Sequence, residues 1–299
     1  MTQSLNWTAD GANWPNRAFS RFVEVGDCRW HVQRAGTGPK ILLVHGTGAS
    51  THSWAGLFSA LAARCDVLAA DLPGHAFTRC TSPESSSLSG MASALKELMS
   101  ETGFQPDHIV GHSAGAAIAI RLAATTTKPP KNIVGLNGAL KPLPGIAGLA
   151  GPAIARAVTF SSLMVSAISR SARDQERVAR LIRSTGSEPS SPYLEIYTRL
   201  FASPSHVRGA MRMMANWDVS RIQSDIDRAD CPLVLITGDR DHAVSPVEAS
   251  SLARRNTNVH HVPLRGLGHL AHEEDPELLA ATILSAFESC CSKRMKARA

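Results

Sequence analysis

The 299-residue chain predicts an α/β fold: a mostly parallel twisted sheet with an antiparallel start, helices on both faces and an inserted helical cap. Two observations predict the sheet. Short apolar runs rich in Val, Ile and Leu recur with helical stretches between them, and an alternating pair of segments precedes the first run. A third predicts the cap, because one long interval interrupts that rhythm.

The alternating pair is "FSRFVEV" and "CRWHVQRAG" around Gly26-Asp27, a dipeptide suited to a two-residue hairpin turn. The core runs follow as "KILLVHG" (40–46), "DVLAADLPG" (66–74), "HIVGH" (108–112), "NIVGLNG" (132–138), "PLVLITGD" (232–239) and "NVHHVPL" (258–264). Residues 139–228 hold helical patterns without a core strand. The chain therefore divides into a core of 1–138 and 229–299 with a helical cap of 139–228. The start of that interval, "LPGIAGLAGPAIARAVTFSSLMVSAIS", is apolar, but Pro144, Pro152 and Arg156 interrupt it and argue against a membrane span. Small residues with Leu, Met and Phe suit helices that close over an apolar pocket or lie against a membrane surface.

With 43% hydrophobic residues the chain can bury a substantial core. The cysteines Cys28, Cys65, Cys80, Cys231, Cys290 and Cys291 show no metal-ligand spacing, and no secretory leader is evident, so reduced thiols and a cytoplasmic location are expected. The adjacent Cys290 and Cys291 are read as half-buried residues of a last helix. Part of the formal charge of +6 sits in the tail "KRMKARA", with Lys293, Arg294, Lys296 and Arg298. It reads as a solvated end, with peripheral contact to an anionic membrane or an acidic partner as the alternative. No basic stripe interleaved with aromatics is present, which argues against nucleic acid.

"GHSAG" follows the run ending at His112 and opens an alanine-rich helical pattern. In G-x-S-x-G the glycines let strand and helix approach closely, and the sharp turn holds Ser113 out at the carboxyl edge of the sheet. A serine hydroxyl is a weak nucleophile at neutral pH, so it needs a base, and the base needs an orienting acid. Both follow in chain order. Asp241, in "DRDHAVSP", lies far enough past its strand to turn toward a histidine, whereas Asp239 suits a turn-capping role. His269, in "RGLGHLAHEEDP", follows a flexible Gly-Leu-Gly segment and is expected as the base. His272 is expected at a helix start or on the surface. The His-x-x-His spacing lacks a third metal ligand, so neither a metal nor a cofactor is expected.

An oxyanion forming at Ser113 needs two donors: the N–H of Ala114, and one from "HGTGAS", where Thr47 is the better candidate and Gly48 the fallback. Trp54 is read as pocket wall or helix packing, and Met213 and Met214 of "MRMMANW" as pocket lining or cap packing. His45 and His112 are expected to brace the two loops.

Through these residues the chain resembles the α/β-hydrolase superfamily over nearly its whole length. More narrowly, "DGANWPN", "WHVQRAGTGP", "LLVHGTGASTHSW", "DLPGHAFT", "GHSAGAAIAIRLA", "GLNGALKPLPG", "MMANWD" and "GLGHLAHEEDP" resemble the BchO type of magnesium-chelatase accessory protein. Ala76 departs from that pattern, standing where "DLPGHGF" has glycine. The resemblance implies a role in bacteriochlorophyll biosynthesis, beside magnesium insertion into protoporphyrin. Two readings follow. One is a serine hydrolase acting on a small apolar substrate, a porphyrin or lipid-like ester. The other is a non-catalytic accessory protein that binds a porphyrin or contacts magnesium chelatase.

Overall fold

A computed structural model describes residues 4–142 and 161–296, with side chains through Ser289. Most of the apolar stretch that opens the interval after 139, and the side chains of Cys290, Cys291 and the basic tail, lie outside the described residues.

The expected strands form one sheet. The hairpin β1 (Ser20–Val25) and β2 (Cys28–Ala35) pairs antiparallel, with Val25 opposite Cys28 across the Gly26-Asp27 turn. β2 also runs antiparallel to β4 (Asp66–Ala70). From there β3 (Lys40–Val44), β6 (His108–His112), β7 (Asn132–Leu136), β8 (Leu233–Gly238) and β9 (Val259–Leu264) join in parallel, giving the order β1-β2-β4-β3-β6-β7-β8-β9. The chain steps one way from β3 to β4 and the other way to β6. The crevice at the carboxyl ends of β3 and β6 is thus the switch point where open α/β sheets bind ligands.

The period of two along each strand divides the core. Ile41 and Leu43 of β3 face a cluster with Leu57, Phe58 and Leu61 of α2 (Ala55–Ala62) and Leu279 and Ile283 of α12 (Pro276–Lys296). Leu42 and Val44 face the opposite cluster, with Leu95 and Leu98 of α3 (Leu88–Glu101) and Ile118 and Leu122 of α4 (Ala114–Thr125). A third cluster lies over the carboxyl edge. It joins Trp14, behind the short helix α1 (Trp7–Asp10), to Val178 and Ile182 of α6 (Gln175–Arg183) and Tyr197 and Leu200 of α7 (Ser191–Phe201).

Between β7 and β8 the described residues form helices and no strand: α5 (Ser162–Ser171), α6, α7, α8 (Pro204–Ala215) and α9 (Ile222–Ala229). α9 packs on α4, and its buried Asp225 takes Arg121 Nε–H at 2.6 Å. That helix belongs to the layer on the sheet. α10 (Pro246–Arg255) and α11 (Ala271–Glu274) complete the helices that frame the site. Among the described residues no helix is long and apolar enough to cross a membrane.

The expectation of reduced thiols is corrected at one pair. Cys28 and Cys80 form a disulfide, while Cys65 and Cys231 are free and buried. The partner strand β5 (Arg79–Cys80) has only two residues, and its antiparallel register with β2 sets the two cysteines opposite each other. A separation of 52 residues carries no sequence signal for such a pairing. Ala76 takes φ 39°, the left-handed geometry open to glycine without strain. Alanine there costs about 1 kcal/mol, and its fully buried methyl offsets a similar amount.

Candidate active site

Ser113 sits between β6 and α4 with φ 52° and ψ −118°, a strained backbone that lifts its side chain out of the strand-to-helix path. Neighbouring glycines make the turn sterically possible. A Cβ on Gly111 would collide with the Gly115 carbonyl, and one on Gly115 with the Val44 carbonyl at the end of β3. The backbone is then pinned from both sides: Ser113 N–H donates to Leu136 O at 2.9 Å, and Ala139 N–H donates to Ser113 O at 3.0 Å.

Asp241 and His269 meet across the loops after β8 and β9. His269 Nδ1–H donates to Asp241 Oδ2 at 2.9 Å, and Asn137 Nδ2–H donates to the same oxygen at 2.8 Å. The other oxygen, Oδ1, accepts the N–H groups of Ala243 at 2.8 Å and Val244 at 2.9 Å. Burial alone would raise the Asp241 carboxyl. The bond to and charge of His269, with the Val244 and Asn137 donors, hold it below the ordinary carboxylate value. Asp239 instead accepts Gly266 N–H at 2.7 Å, the turn-capping role expected of it.

His112 braces the histidine loop by donating Nε2–H to His269 O at 2.9 Å. Burial, with the His269 ring beside it, pushes His112 down to about 3, so it stays neutral. His45 braces the loop after β3: its Nδ1–H donates to Gly46 O at 2.8 Å, while Nε2 accepts Leu72 N–H at 2.9 Å. In a trans peptide the carbonyl and the following N–H point opposite ways. Anchoring Gly46 O on His45 therefore fixes the direction of the Thr47 N–H. Ala114, the other expected donor, is the first residue of α4, where helix N–H groups favour negative charge.

The helical interval holds these loops in place. His206 of α8 donates Nε2–H to Gly48 O at 3.0 Å and accepts Ala76 N–H on Nδ1 at 2.9 Å. Thr185 O accepts His242 N–H at 3.0 Å beside the acid, and Ser187 Oγ accepts Leu270 N–H at 2.7 Å beside the base.

Ser113, Thr47, Gly48, His112 and His269 line one cavity of about 220 Å³, closed by Leu181, Ile182, Thr185, Tyr197 and Phe201 from the interval. A second, apolar cavity of about 420 Å³ lies among α5 to α8, and Leu181 and Phe201 line both. Met214 lines this second cavity. Met213 is fully buried and accepts Thr47 Oγ1–H on its sulfur at 3.3 Å, so it packs behind the loop and lines neither. Of the two readings of Trp54, pocket wall is corrected and helix packing is what the structure places. Its ring is enclosed in the core with Leu57 and Phe58, 4.7 Å from the His272 ring. His272 is corrected as a surface residue: it is at a helix start but fully buried, with Nε2 2.8 Å from Ser53 Oγ.

Glu273 was not anticipated. Its Oε1 accepts Tyr197 O–H at 2.7 Å and also the Ser53 hydroxyl, tying α7 to α11 beside His269. Burial pushes this carboxyl up from 4.5 to about 7. Because the folded value is raised, its contribution to stability is full below about pH 4.5 and is lost as pH rises to about 7. The loss should be at most about 3 kcal/mol. Denaturant unfolding of wild type and Glu273→Gln between pH 4.5 and 7 checks this: the stability of wild type relative to the variant should fall as pH rises across that range.

The fold and the positions of these loops define the class. Residues 41–282 match the model of the alpha/beta hydrolase family, and the chain belongs to it. Within the family it is similar to the magnesium-chelatase 30 kDa subunit of Rhodobacter capsulatus, 36% identical over 93% of this chain and 97% of that protein. A fluoroacetate dehalogenase from Burkholderia is also 36% identical, but over only 34% of this chain and 35% of its own length. Among solved structures, a haloalkane dehalogenase DbeA-M1 loop variant from Bradyrhizobium elkanii superposes with a TM-score of 0.71 at 18% identity, covering 93% of this chain and 98% of that one.

Proposed function

We propose that this protein is a serine hydrolase that cleaves an ester-like bond in an apolar substrate, in a role accessory to magnesium insertion in bacteriochlorophyll biosynthesis. The observation that carries the reading is the Asp241–His269 hydrogen bond beside a cavity that Ser113 and the Thr47 loop also line. Ser113 Oγ attacks the carbonyl carbon as His269 Nε2 takes its proton, and Asp241 stabilises the imidazolium. The N–H groups of Thr47 and Ala114 receive the oxyanion. Collapse expels the alkoxide, which takes the proton from His269. Water, deprotonated by the same imidazole, then releases the acid and restores Ser113.

Helices α5 to α8 act as a cap in this reading. A cavity of about 220 Å³ is small for a drug-sized ligand, so the apolar part of the substrate extends past Leu181 and Phe201 into the larger chamber. Leu181→Trp should narrow that passage. The expected result is a fall in kcat/KM of at least about 10-fold for a long-chain ester, with an acetyl ester little changed. Equal losses for both esters in a steady-state assay would contradict the two-chamber arrangement.

A second reading, a non-catalytic protein that binds porphyrin or contacts magnesium chelatase, is favoured by the similarity to a magnesium-chelatase subunit. Titrating wild type and Ser113→Ala with a porphyrin methyl ester, with product analysis, separates the two. The hydrolase reading predicts ester cleavage by wild type alone. Equal binding by both proteins without cleavage by either supports the carrier and contradicts the hydrolase.

A further inference from the structure

We propose that the face formed by α5 and the end of α6 docks on an anionic lipid bilayer and opens the apolar chamber toward it. Leu163 is 81% exposed and Leu181 56%, and Met164 and Ile168 are exposed as well. Single exposed apolar residues are ordinary, but Met164, Ile168 and Leu181 are linked through one helix face and one cavity. Met164 lies one turn before Ile168 on α5, while Ile168 and Leu181 both line the apolar cavity. The exposed apolar face is thus continuous with that cavity, which shares Leu181 and Phe201 with the chamber of Ser113.

Charge selects the occupant. Arg170 on α5, Arg173 between the helices and Arg180 on α6 are exposed, and none of them makes an ion pair among the described residues. Nearby Asp174 is engaged by Arg177, and Glu176 by Arg183. Protruding apolar side chains rimmed by guanidinium groups match a lipid surface, where the apolar groups enter the acyl boundary and the cations meet phosphate. A hydrophobic ester dissolved in the bilayer could then reach the chamber without crossing water. This step deepens the hydrolase reading and rests on it, whereas docking itself does not.

Vesicle sedimentation tests docking independently of catalysis, using equimolar phosphatidylglycerol and phosphatidylcholine against phosphatidylcholine alone. Wild type and Ser113→Ala should both partition onto the anionic vesicles, and high salt should release them. Leu163→Asp with Met164→Asp should lower the partition by about tenfold or more, and Arg170→Glu with Arg173→Glu should abolish the preference for anionic lipid. Variants that partition like wild type would overturn the proposal and move the contact to another surface. Wild-type protein that remains in the supernatant with every vesicle would also overturn it, leaving the arginine-rimmed face to an acidic protein. If Ser113 proves inert while vesicle binding follows the expected pattern, the hydrolase reading falls and the docking surface stands.

Discussion

Ser113→Ala protein is expected to lose ester turnover by at least about 10,000-fold while keeping its fold and its substrate affinity. The size follows from the chemistry. Without Oγ there is no acyl-enzyme, and what remains is water attack assisted by the oxyanion donors and by positioning. The fold should survive because the replacement keeps a Cβ at φ 52°, and the backbone bonds to Leu136 and Ala139 do not involve the side chain. Ser113→Gly adds a second readout. Glycine relieves the left-handed strain, so this variant should be inactive yet more stable by about 1 kcal/mol, measured by denaturant unfolding. Turnover by Ser113→Ala within tenfold of wild type would remove the serine from the mechanism.

The second large effect is expected at Asp241. In Asp241→Asn, Oδ1 can still accept from Ala243 and Val244, so the loop should hold. The atom facing His269 Nδ1 then becomes an amide donor, which favours the tautomer with its proton on Nε2, the nitrogen that must accept from serine. A fall in kcat of about 10,000-fold is expected, with KM little changed. Stability offers an independent check. Because the Asp241 carboxyl is held below its ordinary value, its contribution is present above about pH 3.8 and lost as pH falls through the folded value. The stability of wild type relative to the asparagine variant should therefore shrink as pH falls through that range. Steady-state kinetics and acid unfolding together distinguish an orienting acid from a structural one, for which kcat would be largely retained.

The sheet was legible because its strands are buried on both faces and read as compact apolar runs, each flanked by turn residues. Ile41 and Leu43 facing one helical layer, and Leu42 and Val44 the other, is the arrangement such a run requires. The serine, acid and histidine were legible because each follows a strand at the same edge of the sheet, in an order this topology imposes. Residues whose roles depend on contacts across the sequence were not legible. Asn137, which holds both Asp241 Oδ2 and Gly268 O, had a faint signal: an Asn-Gly pair directly after a buried strand, with Asn137 at φ 48°. Glu273 looks in sequence like one more surface carboxylate at a helix start, and only the approach of Tyr197 and Ser53 gives it a buried partner set. Trp54 stayed open between pocket wall and helix packing because a tryptophan near the oxyanion loop suits either, and only the turn Thr51–Trp54, which points it back into the core, decides for packing. β5 escaped notice because two residues carry no periodicity, and the Cys28–Cys80 disulfide escaped with it.

Most direct for the central claim, that Ser113 is an activated nucleophile, is intact-mass measurement after incubation with a fluorophosphonate, a reagent that reports activation without presupposing a substrate. A single covalent adduct is expected on wild type, none on Ser113→Ala, and strongly slowed labelling on Asp241→Asn. Folded wild-type protein that gains no adduct, or an adduct that persists in Ser113→Ala, would contradict it.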